Sequence, residues 1–181
     1  MEEKAFSILK GDKMSHFEKV SFEQWKKDCG VKGLPDKELR EWYENIRLPR
    51  QATAGSAGCD FFMPFNLNFE SGSKFKIATG VRWVADGADD RVLLIVPRSG
   101  LGFKYGIRLP NTIGVIDADY AEAENEGHIL VALENPSPEN IQLPEGKPFV
   151  QGIIVKYEVP EGAESEDART GGFGSTDTAD C

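Results

Sequence analysis

Four short segments of the chain combine the residue types that handle anions and protons. Pro97-Arg98-Ser99-Gly100-Leu101-Gly102 follows the apolar run Val92-Leu93-Leu94-Ile95-Val96. Glycines let a backbone approach an anion closely. Arg98 offers a charge-assisted fork and Ser99 a hydroxyl donor to phosphate. The bland alternative is a turn with a surface arginine. Asn111-Thr112-Ile113-Gly114-Val115-Ile116-Asp117-Ala118-Asp119-Tyr120 reads as a hairpin, its Asn and Gly shaping the bend. Asp117, beside an apolar run, could act as a general base toward water, or be part of an exposed acidic turn. Ala54-Gly55-Ser56-Ala57-Gly58-Cys59-Asp60 ends a loop and enters a strand at Phe61-Phe62. Asp60 could orient water around a hydrated Mg²⁺, an ion that keeps several waters and uses few protein carboxylates. Its alternative is an ordinary turn hydrogen bond. Arg169-Thr170-Gly171-Gly172-Phe173-Gly174-Ser175-Thr176 carries a cation, hydroxyls and one aromatic on a glycine-rich strip. Such a strip can wrap a nucleotide, the ring stacking on a base while Arg and N–H groups meet phosphate. Its alternative is a disordered tail.

The elements that must position these segments change along the chain. Residues 1–47 read as helical. Ser21-Phe22-Glu23-Gln24 fits a capping box, and a second helix starts at Pro35-Asp36 with Leu39, Trp42, Tyr43 and Ile46 at i, i+3, i+4 and i+7. Trp25 and Trp42 are expected to dock this region onto the body, the alternative being a lid or partner surface. From 48 to 160 the texture is β: Lys76–Val81, Val92–Val96, Gly114–Ile116, His128–Leu133 and Phe149–Tyr157 are short β-rich runs separated by turn residues such as Asp86-Gly87, Pro110-Asn111 and Glu145-Gly146. Many short, regularly punctuated strands predict an all-β sandwich, barrel or jelly roll. Residues 161–181 are poor in apolar side chains and are expected to form a flexible arm. Phe173 is an odd occupant of such an arm unless something docks there.

Composition narrows the function classes. The chain has 181 residues, enough for one sizeable domain, and a net charge of −9. An acidic surface argues against nucleic acid as the partner. A small anion would need a local cluster of arginines, N–H groups or a divalent cation. No run of about 18 apolar residues suggests a membrane span, and the start Met1-Glu2-Glu3-Lys4 lacks a signal-peptide pattern, so a cytoplasmic location is expected. Cys29, Cys59 and Cys181 are widely spaced and contain no C-x-x-C pair, which fits reduced thiols and argues against zinc. With His16 and His128 as the two histidines, a Ser-His-Asp triad is formally possible but no nucleophile elbow accompanies it.

Taken in order, Ala57–Asp60, Pro97–Leu101, Gly114–Tyr120, Gly146–Gln151 and Gly171–Thr176 resemble the five motifs of the trimeric dUTPase family, over roughly residues 48–177. That resemblance implies a β jelly-roll barrel assembled as a homotrimer, with each active site drawing on all three subunits. It implies hydrolysis of dUTP to dUMP and pyrophosphate with Mg²⁺, which limits uracil in DNA and supplies dUMP for dTMP synthesis. By motif position, Arg98, Ser99, Gly100 and Gln151 would bind phosphates. Asn111, Gly114 and Ile116 would form the bend that receives uracil, and Asp117 would activate the attacking water. Tyr120 would pack on the deoxyribose and leave no room for a 2′-hydroxyl. Phe173 and Gly174 of the arm would cover the base, Arg169, Ser175 and Thr176 would reach the outer phosphates, and Asp60 would touch the magnesium hydration shell.

The chain departs from the family pattern at several places. Ala121-Glu122-Ala123-Glu124-Asn125-Glu126 stands where Arg-Gly-Glu usually follows the tyrosine, Pro148 replaces the motif-four arginine, Arg169 lies one residue nearer Phe173, and Asp177 replaces the last glycine. The N-terminal extension resembles that of some bacterial members. Two other readings share these residues: a dCTP deaminase or bifunctional deaminase of the same fold, and a dUTPase-like regulatory protein that binds a partner through its insertions. Asp119-Tyr120 and the complete arm favour dUTPase over the deaminase.

Overall fold

Strict alternation drives much of this chain into sheet. In Leu130-Val131-Ala132-Leu133-Glu134, Val131 and Leu133 are buried while Ala132 faces out. A computed structural model describes residues 15–31, 33–87, 90–163 and 165. Its elements run β1 (His16–Lys19), α1 (Phe22–Cys29), α2 (Asp36–Asn45), β2 (Arg50–Gln51), β3 (Cys59–Phe62), β4 (Leu67–Phe69), β5 (Lys74–Ala78), β6 (Val81–Val84), β7 (Arg91–Pro97), α3 (Ser99–Tyr105), β8 (Gly114–Ile116), a 3-10 helix (Ala118–Glu122), β9 (Leu130–Glu134), β10 (Ile141–Leu143) and β11 (Pro148–Lys156). Among the described residues the architecture is mostly β with three short α-helices, a jelly roll. The main sheet is antiparallel in the order β2-β3-β11-β7-β8, and the pairs β1-β6, β4-β10 and β5-β9 complete the strands.

One face of the main sheet builds the core with Phe61, Leu93, Ile95, Ile116 and Val150, all at most 3% exposed. Gly152 is required there, because a Cβ would lie 2.9 Å from both Leu93 Cδ1 and Phe61 Cε2. The opposite face is also aliphatic. Register sets Val115, Leu94 and Ile153 side by side, and Val92 beside Val155. Val115 and Val155 remain 55% and 39% exposed.

Of the region 1–47 read as helical, residues 1–14 and 32 lie outside the described residues, and the described part is not all helical. His16–Lys19 is a strand paired antiparallel with β6, Phe17 opposite Trp83, and the Phe17 ring meets Phe61 edge-on at 5.5 Å. A four-residue run shows no periodicity of its own; the partner strand sixty residues away decides it. Ser21 caps α1 by accepting from the Gln24 N–H at 3.1 Å, and α2 begins at Asp36. Trp25 is fully buried and its Nε1–H donates to the Ala78 carbonyl at 3.1 Å, docking α1 on the body. The Trp42 ring lies against Phe65 at 5.8 Å. Truncating a buried Trp of this kind costs about 3–5 kcal/mol.

Two further local readings are revised. The run 76–81 is not one strand: Gly80 adopts φ +73°, with Trp25 and Ile46 packed against it, and separates β5 from β6. The glycine-rich stretch after Pro97 is not a loop but α3, stopped by Gly106 at φ +70°. Burial of Leu101 outweighs the poor helix propensity of Gly100 and Gly102. Cys29 and Cys59 are free thiols. Among the described residues no helix is long and apolar enough to cross a membrane.

Candidate active site

The main sheet gathers three of the segments. Gln151 in β11 stands opposite Asp60 in β3 and Val96 in β7, and Arg50 in β2 stands opposite Asp60 on the other side. Arg98, just past β7, reaches the Asp60 carboxylate at 3.0 Å. Asp60 is only 7% exposed, and a buried carboxylate is tolerable only when paired. Gly58 permits the Gln151 side chain to lie over it, since a Cβ would fall 2.7 Å from Gln151 Oε1. Two shallow cavities adjoin at Pro148. One is walled by Arg98, Gly100, Leu101, Lys104, Tyr105 and Lys147, the other by Arg50, Gln51, Ala52, Asp60 and Phe62. Four cations therefore rim this region of an acidic chain, and the one acid among them is held by Arg98. Ser99 is exposed at the first position of α3, where its N–H and that of Gly100 precede the first bonded one, Leu101 N–H to the Arg98 carbonyl at 3.0 Å.

A third cavity, of about 290 Å³, lies under the bend 109–116. Asn111, Gly114 and Ile116 line it together with Ile95, Leu109, Ile129 and Val131. The bend was expected as a hairpin, but its limbs pair with different strands: Arg108 bridges to Glu134 at the end of β9, and β8 pairs with β7. The bend is therefore a bridge between sheets, with Thr112 at φ +69° near its tip. Gly114 fits because a Cβ there would already lie 3.1 Å from Ile95 Cβ. A mostly apolar slot, to which Lys76 and Asn111 add polar side chains, suits a flat heterocycle.

Asp117 follows directly from this wall. It is exposed, at the end of β8, and its carbonyl accepts the Tyr120 N–H at 3.1 Å. Tyr120 is 4% exposed; its hydroxyl donates to the His128 carbonyl at 3.0 Å and accepts from Asn125 Nδ2 at 2.7 Å. It is not among the residues lining the slot. His128 is fully buried, with Gly80 N–H donating to its Nε2 at 2.8 Å and Nδ1 at 2.7 Å from Asp28. Since Nε2 accepts, Nδ1 carries the proton. Burial pushes the His128 pKa below its ordinary value, and Asp28, which acts the other way, does not overcome it.

The chain matches a known family. The dUTPase family model matches residues 44–177. The chain belongs to the dUTPase family. It is 35% identical over 139 residues to the deoxyuridine 5′-triphosphate nucleotidohydrolase of Lactococcus lactis, covering 74% of this chain and 91% of that protein. The Methylococcus capsulatus enzyme of the same name is 36% identical over 138 residues, covering 72% and 87%. The crystal structure of the dUTPase from Streptococcus mutans superimposes with a TM-score of 0.61 at 28% identity, covering 81% of this chain and 99% of that one.

Against the dUTPase motifs, this fold distributes the expected site residues into two groups. Arg98, Gly100 and Asp60 line the cationic rim, with Ser99 and Gln151 beside it; Asn111, Gly114 and Ile116 line the slot. The slot and the two rim cavities share no wall residue. Arg169, Phe173, Gly174, Ser175 and Thr176 lie outside the described residues. Sequence reasoning missed Arg50, Lys104 and Lys147. Lys147 was legible as the neighbour of Pro148; Arg50 was not, because only the β2–β3 register brings it to Asp60.

Proposed function

We propose that this dUTPase cleaves dUTP to dUMP and pyrophosphate by in-line attack of water on the α-phosphorus. Asp117 takes the proton from that water as its oxygen bonds to phosphorus, and the bond from the α-phosphorus to the bridging oxygen breaks, so pyrophosphate departs. The observation that carries this reading is the continuity of Gly114, Ile116 and Asp117: the strand that walls the slot delivers a carboxylate at its end. The slot reads uracil through backbone groups, and a base with the wrong edge would leave them unpaired. Arg98, Ser99, Gly100 and Gln151 hold phosphate oxygens, so that catalysis is mainly positioning and electrostatic stabilisation. From the arm, Phe173 and Gly174 would cover the base, while Arg169, Ser175 and Thr176 would close on the outer phosphates. Tyr120 excludes a 2′-hydroxyl from behind the sugar.

The donor set fits Mg²⁺ only as an ion that enters on the triphosphate. Among the described residues no cluster of three His, Cys, Asp or Glu side chains could hold a metal, and Asp60 is engaged by Arg98. Asp60 would then meet the ion's hydrating water rather than the ion, and Mg²⁺ would offset charge on the phosphates. Assembly as a homotrimer is supported by the aliphatic outer face around Val115, Leu94 and Ile153 and by the separation of slot and rim, which a neighbouring copy would bring together.

The test is pyrophosphate release across a panel of dNTPs with Mg²⁺. dUTP should be strongly preferred, with no ammonia released from dCTP. Asp117→Asn should lower kcat by about 10²–10⁴-fold, the span typical of a lost general base, while dUTP affinity by equilibrium binding stays within a few-fold. Substantial turnover by Asp117→Asn would overturn the reading.

A further inference from the structure

Tyr120 does not hold itself in place. Its hydroxyl is fixed by the His128 carbonyl and the Asn125 amide, so the segment 125–128 sets where the ring stands. That segment folds tightly back on the tyrosine. At Gly127, φ +68°, a Cβ would lie 2.7 Å from Ala121 Cα and 2.9 Å from the Tyr120 carbonyl oxygen. Glu126 beside it adopts φ +59°, a left-handed conformation that a non-glycine residue keeps only when its surroundings over-determine it.

The surroundings come from α1. The Glu126 carboxylate accepts from the Ser21 N–H at 2.7 Å and from its hydroxyl at 2.6 Å. The His128 ring meets Asp28 at 2.7 Å, and Gln24 Nε2 donates to that same Asp28 oxygen at 2.7 Å. Ser21, Gln24 and Asp28 stand at i, i+3 and i+7, on one face of two helical turns. The two ends of the helix thus grip the loop at Glu126 and His128. The reciprocal half of a capping box is absent for this reason: the Ser21 N–H is given to Glu126, and the Gln24 amide to Asp28. Trp25, fully buried with its N–H on the Ala78 carbonyl, anchors the helix to the body.

We propose that α1 is a positioning element of the sugar site, in which Ser21 and Asp28, acting through Glu126 and His128, hold Tyr120 where it excludes a 2′-hydroxyl. This rests on the reading of Tyr120 as the residue behind the deoxyribose. Loosening the clamp lets the ring give way to a ribose while the slot and the cationic rim stay as they are, so discrimination between dUTP and UTP falls more than turnover of dUTP does.

The experiment measures kcat/KM for dUTP and for UTP on Ser21→Ala, Asp28→Ala, Asp28→Asn, Glu126→Ala and Tyr120→Ala, alongside Tm. A ratio of the two rates is blind to the fraction of unfolded enzyme. Asp28→Ala and Glu126→Ala should lower the dUTP/UTP ratio about tenfold, chiefly through faster use of UTP. Asp28→Asn, which keeps an acceptor for the His128 N–H, should restore most of it. Ser21→Ala is exposed and leaves the backbone contact to Glu126, so it folds and shows a several-fold fall. If Tyr120→Ala leaves the ratio at the wild-type value, the reading of Tyr120 fails. If Tyr120→Ala lowers the ratio but the α1 and Glu126 variants lower only Tm, the clamp is structural and the proposal is overturned.

Discussion

Gly58→Ala isolates a geometric demand of the phosphate rim. The new Cβ would stand 2.7 Å from Gln151 Oε1 and 3.3 Å from both Gln151 Cβ and Cδ. Swinging the amide away relieves the first contact but not the other two. The Cβ contact asks for a few tenths of an ångström of backbone adjustment, since no rotamer moves Cβ, and the Cδ contact is eased by turning χ1 or χ2. Gln151 must therefore leave its rotamer. The strain is about 0.5–1.5 kcal/mol, so folding survives. The larger effect falls on the reaction. A side chain turned out of place forfeits a hydrogen bond to a charged phosphate oxygen, worth about 1.5–3 kcal/mol, which is roughly ten- to two-hundredfold in kcat/KM. Gly55→Ala is the control, since a Cβ there meets nothing within 4 Å, and a change within about 0.5 kcal/mol is expected of it.

The assay is initial-rate pyrophosphate release on Gly58→Ala, Gln151→Ala and the double variant, with Tm for each. Gly58→Ala and Gln151→Ala should share one cost, so the double variant should be little worse than either alone. Two results refute the reasoning: Gly58→Ala kinetics equal to those of Gly55→Ala, or losses that multiply in the double variant, which would mean that the two residues act at separate places.

Two other perturbations test the surroundings of the site. His128 is held neutral in the fold, with its pKa pushed below 6.5 by burial, whereas the unfolded chain takes up its proton near 6.5; its contribution is full above that pH and is lost as pH falls through the folded value. Glu126 follows at lower pH: burial raises its pKa, but the Ser21 hydroxyl and N–H, with Arg82 and His128, outweigh that and hold it below 4.5. Tm should therefore drop on acidification from pH 7.5 to 5.5, and His128→Gln should flatten that first step; a flat wild-type profile would contradict a neutral His128. On the outer sheet face, Val115→Glu places a charge among Leu94 and Ile153, and light scattering should show dissociation to monomer with loss of turnover; an assembly of unchanged mass would show that this face lies outside the subunit contact.

Much of this was legible in the residues. Ser21 as a cap, Asp36 as a helix start and the strands around Val92–Val96 and Gly114–Ile116 follow from local pattern, and the local pattern is what the fold keeps. The misses are all long-range. His16–Lys19 becomes a strand because β6 offers an edge. Ser99–Tyr105 becomes a helix against its own glycines because Leu101 finds burial. The acidic stretch 121–126 read as a loop insertion and, on the regulatory alternative, as a partner surface; its hydrogen bond to Ser21, 105 residues earlier in the chain, was not legible. The candidate site residues were legible as types in order, and their division between slot and rim was not, since nothing in the spacing of Arg98 and Gly114 says that they line different cavities.

That division bears on how an acidic protein handles a highly charged substrate. With a net charge of −9, the chain as a whole repels a triphosphate, and at low ionic strength the field reaches well beyond contact. The fold answers by concentrating Arg50, Arg98, Lys104 and Lys147 on adjoining cavities and neutralising the lone acid there internally. Within one protomer, however, the cavities along that rim share no wall residue with the slot, whose wall strand leads into Asp117. On the proposed reading, an isolated protomer can therefore offer a base pocket with its carboxylate or a phosphate cradle, but not both to one nucleotide. On that same reading assembly would be part of the chemistry: a neighbouring copy would supply the positive field that lets Asp117 work beside a polyanion, and a monomer, however well folded, would have no complete site.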